Sequence, residues 1–329
     1  MTRLIDNYDA ALFDLDGVIY LGPHAIDGVA DSLTELRRLN TRIGFVTNNA
    51  ARTPAAVADH LVELGIEATE TDVVNSTQAT IRMLQKDLEP GTKILTLGTD
   101  ALAEQLADAG FDPVRTLEDS PAVVVQGYHP AVAWSLLELG AIAIQQGATW
   151  YATNPDMTRP TERGLLPGCG SQVAVVQACV EQEPRVAGKP FRPLLDETVL
   201  RLQAKHPIFV GDRIDTDIMG ANAVGMDSLF VFTGAHGKHD LATAGPDGRP
   251  THISWGTEGL LSQPRAAQIT ADGGSCQGQA ITVSEGVAHA ASIPAGRAEQ
   301  LDLLWVALQL AWDHEIQVEG ILESLDELP

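Results

Sequence analysis

Cysteine is scarce: Cys169, Cys179 and Cys276 are the three in a chain of 329 residues. So few and widely spaced a set excludes a disulfide framework, and none has the close Cys or His partner of a zinc site, which predicts a reducing cytoplasm as the compartment. Bases are also few. With 21 Lys and Arg against 44 Asp and Glu the formal net charge is −23, so there is no basic footprint for a phosphate backbone or an anionic bilayer. The expected partners therefore include no nucleic acid and no membrane. Long apolar runs are missing as well. The opening stretch MTRLIDNYDAALFDL interrupts each apolar run with acids, which predicts neither a secretory h-region nor a spanning helix.

What is present is ordinary globular usage, 44% hydrophobic and 20% charged, at a length of about two domains. Short apolar runs at residues 11–15, 43–47, 208–210 and 229–232 read as buried strands. Val29, Leu33 and Leu36, and then Val57, Leu61 and Leu64, repeat at helical spacing between them, so the ends of the chain predict βαβ units and a parallel sheet. The middle begins the same rhythm afresh: strand-like 94–97, 123–125 and 150–152 alternate with helical runs at 101–109 and 132–145. An inserted α/β domain over 76–186 is predicted, dividing a core of 1–75 and 187–262. Beyond it, Gly, Ser, Gln and Ala take over, and ten acids face one base, Arg297, from residue 266 onward. Residues 263–329 read as a linker and a separate acidic piece. There Leu301, Leu304, Trp305, Leu308 and Trp312 share a helix face, and Ile281 and Val283 alternate as in a strand.

Four polar constellations stand at predicted strand ends. The first is Phe13-Asp14-Leu15-Asp16-Gly17, two carboxylates one residue apart before a glycine turn. The second is Thr47-Asn48-Asn49, the third Gly188-Lys189-Pro190, and the fourth Gly211-Asp212-Arg213-Ile214-Asp215-Thr216-Asp217. The carboxyl ends of parallel strands are where ligands bind in open α/β sheets, so four such clusters in series point to one site. Taken alone, Gly-Lys-Pro reads as a surface lysine; its place in the series argues for a functional one.

Order and spacing of these motifs resemble the haloacid dehalogenase (HAD) superfamily of phosphohydrolases, and more narrowly its NagD-like branch with a type-2 cap. The resemblance covers about residues 8–261. It implies a fold of α/β class: a Rossmann-like core with a parallel sheet, an inserted α/β cap, and here a small acidic α+β extension outside the family pattern. Spacing agrees with the cap type. Roughly 30 positions separate Asp16 from Thr47, enough for one helix and one strand, whereas roughly 140 separate Thr47 from Lys189 and leave room for a domain of about 100 residues.

The resemblance implies that Asp14 attacks phosphorus and becomes an aspartyl-phosphate. Asp16 protonates the leaving alkoxide and later takes a proton from the attacking water. Clustered carboxylates repel one another and a phosphate, which calls for a cation, and an oxygen-only donor set points to Mg2+. By resemblance Asp14 gives a carboxylate oxygen, Asp16 its backbone carbonyl and Asp212 a second carboxylate. Asp217 orients Asp212, Lys189 or a metal-bound water. The Thr47 hydroxyl and the Asn48 N–H would bind phosphoryl oxygens, with Lys189 adding a fixed positive charge.

In the predicted cap, residues 152–160 and the Gly-rich turn around Gly168 resemble the substrate-specificity loop of the family, with Asn154, Asp156 and Arg159 facing substrate; Arg159 also fits a solvated loop tip. Cys169 reads as a small filler, His129 as lining the cleft or capping a helix, and 236–239 as a solvated loop. The expected activity is Mg2+-dependent hydrolysis of a small phosphate monoester. Glycerol 3-phosphate is the leading substrate, because the acidic, extended chain most resembles actinobacterial glycerol-3-phosphate phosphatases. Phosphoglycolate, 4-nitrophenylphosphate-type esters, pyridoxal phosphate and nucleoside monophosphates are the alternatives, and a homodimer through the cap is a further expectation. A reading of another class makes the acidic extension a regulatory or binding module on a scaffold core.

Overall fold

A computed structural model describes residues 2–159 and 164–329, so Pro160 of the predicted specificity loop lies outside the described residues. The chain divides into two compact units, Met1–Ile43 with Ala204–Pro329, and Gly44–Gln203. The division falls inside one strand, Arg42–Thr47.

In the first unit, strands Ala10–Phe13, Pro207–Gly211, Asp227–Val231 and His252–Ser254 run parallel as neighbours in that order. Ala10–Phe13 is buried along its whole length. A strand covered on both faces needs a continuous apolar run, which is how this segment reads in sequence. Helix Val29–Arg38 buries Val29, Leu33 and Leu36, the predicted stripe.

The acidic extension belongs to this unit. Strands Gln268–Thr270, Gly273–Cys276, Gln279–Ser284 and Val287–Ala290 form a consecutive antiparallel sheet. The stretch that reads as a linker is thus partly sheet. Gly274 explains the disguise: a Cβ there would come within 3.0 Å of a Val306 methyl and 2.9 Å of the Gln268 carbonyl, so only glycine lets the sheet meet the helix above it. That helix, Arg297–His314, is buried well beyond the predicted face. Leu303, Val306, Ala307 and Leu310 are as enclosed as Leu301, Leu304 and Leu308, because the helix touches the antiparallel sheet as well as strand His252–Ser254 and helix Lys238–Ala242. One apolar core joins Phe230, Phe232, Leu241 and Ile253 with Leu301, Leu304, Leu308 and Leu325. Polar contacts seal its edge: Trp312 Nε1 donates to the Leu241 carbonyl at 3.0 Å, and Arg265 donates to the Ile253 carbonyl at 3.0 Å and to Asp302 at 2.8 Å.

In the second unit, Val73–Asn75 pairs in parallel with the end of Arg42–Thr47, and helix Pro54–Glu63 connects them, capped by the Thr53 hydroxyl. A second parallel sheet orders Arg185–Val186, Thr149–Ala152, Val123–Gln126, Lys93–Leu97 and Asp112–Val114. Its strands pack against helices Trp134–Gln145 and Cys169–Gln177 through Leu95, Leu97, Val124, Trp150, Leu137 and Val176. Two βαβ systems therefore appear, as the restarted rhythm predicts. Among the described residues no helix is long and apolar enough to cross a membrane.

None of the three cysteines is disulfide-bonded. Burial pushes the Cys169 thiol up to about 12, so it stays protonated and unreactive near neutrality, while Cys179 is exposed. Iodoacetamide at pH 8 is expected to label Cys179 and spare Cys169, read by peptide mass spectrometry. Leu304 is fully enclosed. Leu304→Ala is expected to cost about 2–5 kcal/mol of unfolding free energy, measured by urea titration.

Candidate functional site

Within the first unit, Asp14 leaves strand Ala10–Phe13 and Asp212 leaves strand Pro207–Gly211, two adjacent parallel strands. The Asp14 N–H donates to the Val210 carbonyl at 2.9 Å, which fixes where the side chain emerges. Asp217 comes from a turn widened so that the Ile218 N–H reaches the Arg213 carbonyl five residues back, at 3.1 Å. The outcome is a cluster: one carboxylate oxygen each from Asp14, Asp212 and Asp217 lie within 4.8 Å of one another. All three residues are buried, at 9%, 1% and 0% exposure.

Three buried carboxylates at that separation repel strongly, and burial removes the water that would screen them. A divalent cation offsets both costs, and donors that are all oxygen suit Mg2+ or Ca2+ rather than a softer metal. The residues present fit such an ion. Asp16 is exposed at the exit of the first strand. Next to it Gly17 holds φ +88°, and a Cβ there would lie 2.5 Å from Asp212 Oδ2, so glycine is required both by conformation and by space.

The Asp212 carboxylate accepts the Ala235 N–H at 2.6 Å, and the Asp217 carboxylate accepts the Arg213 N–H at 3.1 Å. Arg213 itself forms a fork with Asp215, at 2.7 and 3.1 Å. That pairing turns both side chains to each other, in keeping with the absence of Asp215 from the three-carboxylate cluster. The loop 236–239 is not simply solvated: His236 Nδ1 accepts the Ile214 N–H at 2.9 Å and Lys238 is 8% exposed.

Within the second unit, Thr47 ends its strand almost fully enclosed, and its hydroxyl oxygen accepts the Asn49 N–H at 3.1 Å. The hydroxyl proton therefore remains for another acceptor. Asn48 is the hub. Its Oδ1 accepts the Lys189 N–H at 2.8 Å, and its Nδ2 donates to the Lys189 carbonyl and to Asp156 Oδ1, both at 3.0 Å. Its own carbonyl accepts Asn154 Nδ2 and the Ser76 hydroxyl, both at 2.6 Å. Sequence reasoning assigns Asn48 only a backbone N–H; the side-chain clamp is what that reading missed. Close approach is possible because residue 188 is glycine, where a Cβ would stand 2.7 Å from both Asn48 Oδ1 and Asn154 Cβ. Lys189 is 1% exposed, not a surface lysine.

Gly168 donates its N–H to the Met157 carbonyl at 2.9 Å and Gly170 to the Asp156 carbonyl at 2.7 Å, pinning the 154–159 segment against the start of helix Cys169–Gln177. The Arg159 guanidinium lies 5.1 Å from the centre of the Tyr128 ring. His129 Nδ1 accepts the Ala131 N–H at 3.0 Å, closing a turn. The structure thus brings together Asp14, Asp212 and Asp217 in one unit, and Asn48, Asn154, Asp156 and Lys189 in the other.

Comparison with known proteins gives the family. A family model described as haloacid dehalogenase-like hydrolase matches residues 11–112, and one described as HAD-hydrolase-like matches 186–255. The D-glycerol 3-phosphate phosphatase of Mycobacterium tuberculosis is 43% identical over 286 residues, 86% of this chain and 80% of that protein. The acid sugar phosphatase of Staphylococcus haemolyticus is 35% identical, over 75% of this chain and 92% of its own. A crystal structure of the glycerol phosphate phosphatase from M. tuberculosis with magnesium superposes with a TM-score of 0.84 at 40% identity, covering 94% of this chain and 92% of that one. Both the aspartate-bearing strand tips and the similarity over most of the chain place it in one family: the chain belongs to the haloacid dehalogenase-like hydrolases, among their phosphatases.

Proposed function

We propose that this enzyme hydrolyses glycerol 3-phosphate to glycerol and phosphate, dependent on Mg2+. The observation that carries the proposal is the buried Asp14–Asp212–Asp217 cluster, all oxygen donors within 4.8 Å, in a chain 43% identical to a D-glycerol 3-phosphate phosphatase.

In this reading an Asp14 carboxylate oxygen attacks phosphorus, the bond from phosphorus to the glycerol oxygen breaks, and an aspartyl-phosphate forms. Asp16 gives its proton to the departing alkoxide. It then takes a proton from the water that attacks phosphorus, the bond to Asp14 breaks, and inorganic phosphate leaves with Asp14 restored. Exposure of Asp16 supports this role, since it must exchange protons with both alcohol and water. Asp14, the Asp16 carbonyl and Asp212 would hold Mg2+, with Asp217 orienting Asp212, Lys189 or a metal-bound water; bound there, the ion would neutralise carboxylate and phosphoryl charge. The free proton of the Thr47 hydroxyl, the Asn48 N–H and the Lys189 ammonium would bind phosphoryl oxygens. Asn154, Asp156 and Arg159, held by Gly168 and Tyr128, supply donors and acceptors suited to two glycerol hydroxyls.

We assign catalysis to residues 1–75 and 187–262 and substrate selection to 76–186, with 263–329 a linker and accessory piece. A cytoplasmic location rests on the cysteines that form no disulfide. Trp134 and Ile142, 64% and 39% exposed on helix Trp134–Gln145, support a homodimer through the inserted region.

Phosphate release from a panel of metabolite phosphates tests the substrate. Glycerol 3-phosphate is expected to lead, EDTA to abolish turnover and Mg2+ to restore it; a flat panel removes the substrate and chelator-insensitive turnover removes the metal. Asp14→Asn is expected to lower kcat by a factor on the order of 10³ or more, with an unchanged circular dichroism spectrum. Asn48→Ala, which cuts the clamp on Lys189, is expected to raise KM for substrate by about tenfold.

A further inference from the structure

The last residues of the chain reach a segment that begins at the metal cluster. Lys238 is 8% exposed, and a buried ammonium is costly unless its protons are taken up. Its Nζ donates to the Leu325 carbonyl at 2.7 Å and also to the Leu328 carbonyl. Its backbone N–H donates to the Pro329 carbonyl at 2.8 Å. The preceding residue is glycine, and a Cβ there would stand 2.6 Å from that same Pro329 oxygen. Leu325 and Leu328 are themselves in the core beneath, at 0% and 3% exposure.

From Lys238 the chain runs back directly to Asp212. The Ala235 N–H donates to Asp212 Oδ2 at 2.6 Å, and the His236 N–H points at the Asp212 carbonyl at 3.4 Å. His236 Nδ1 accepts the Ile214 N–H at 2.9 Å, and the Thr233 hydroxyl donates to the Gly17 carbonyl at 2.6 Å. Residues 233–238 therefore form a strap. One end is bonded to the residue after Asp16 and to the Asp212 carboxylate, and the other is bonded to the end of the chain.

We propose that Lys238, anchored on the carbonyls of Leu325, Leu328 and Pro329, is a positioning residue that holds the 233–238 strap so that the Ala235 N–H orients the Asp212 carboxylate for the divalent cation. The proposal rests on the reading of Asp212 as a metal ligand. Partners that orient a ligand change metal affinity about 10- to 100-fold when removed, whereas a remote packing defect lowers stability without selective loss of metal. The extension then has a role in catalysis without touching substrate.

Full-length Lys238→Met is compared with the parent protein in two ways: Mg2+ titrated calorimetrically without substrate, and phosphate release against Mg2+ concentration at saturating glycerol 3-phosphate. The Mg2+ Kd is expected to rise about tenfold and the activity half-point to move with it, while kcat at saturating Mg2+ stays within about twofold. Leu304→Ala, which weakens the same core but removes none of the hydrogen bonds of the strap, is expected to lower Tm with an unchanged Kd. An unchanged Kd in Lys238→Met, or an equal rise in Leu304→Ala, overturns the proposal. If Lys238→Met does not fold, Gly237→Ala, which displaces the Pro329 carbonyl, carries the same expected shift, and an unshifted Kd there overturns it. Asp212→Asn separates the two levels: if it binds Mg2+ as the parent does, the fault lies in the assignment of the metal site.

Discussion

Repulsion among three carboxylates buried within 4.8 Å of one another is the constraint around which the first unit is arranged. Like charges so close, away from water, would separate unless the backbone fixed them and a cation joined them. The fixing is done by main-chain groups. Asp14 is set by its N–H to Val210, Asp212 accepts from Ala235, and Asp217 accepts from Arg213. Side chains are excluded where they would intrude, at Gly17 and at Gly234, whose Cβ positions fall on the Asp212 carboxylate. An electrostatic cost is thus met by steric economy in the surrounding loops.

The second unit handles charge of the other sign by the same means. Lys189 is buried, and its backbone is held on both sides of the peptide by one asparagine side chain, which also holds Asp156. A single amide fixes both the cation-bearing turn and the start of the specificity segment. The arrangement ties two remote stretches, separated by 141 positions in sequence, through one side chain.

Much of this was legible in the residues. Buried parallel strands read as continuous apolar runs, and polar residues at their ends stand out against them, so Asp14, Thr47 and Asp212 could be located without coordinates. Asp217 was marked by its acidic neighbours, although Asp215, two residues away, pairs with Arg213 instead. The Asn48 clamp was not legible, because an amide in a Thr-Asn-Asn run gives no hint that its partner lies at Lys189. Nor was the burial of Lys238: a lysine among His and Gly reads as solvated, and its anchors are backbone carbonyls, which carry no sequence signature. The extension misled for a related reason. Strand Gly273–Cys276 is built of Gly, Gly, Ser and Cys, residues with little strand preference, chosen for thinness where the helix presses close. The helix itself is apolar on more than one side, since it is covered from more than one direction.

The shared apolar core of the first unit bears on how the protein can be dissected. Phe230, Phe232 and Ile253, on or just past strands Asp227–Val231 and His252–Ser254 of the parallel sheet, meet the helix Arg297–His314 as their covering layer. A shortened version stopping near residue 262 would set those aromatic and aliphatic faces against water, where they would seek each other across molecules. The chain therefore has no removable appendage: the part that lies outside the common family pattern is the lid of its own hydrophobic interior.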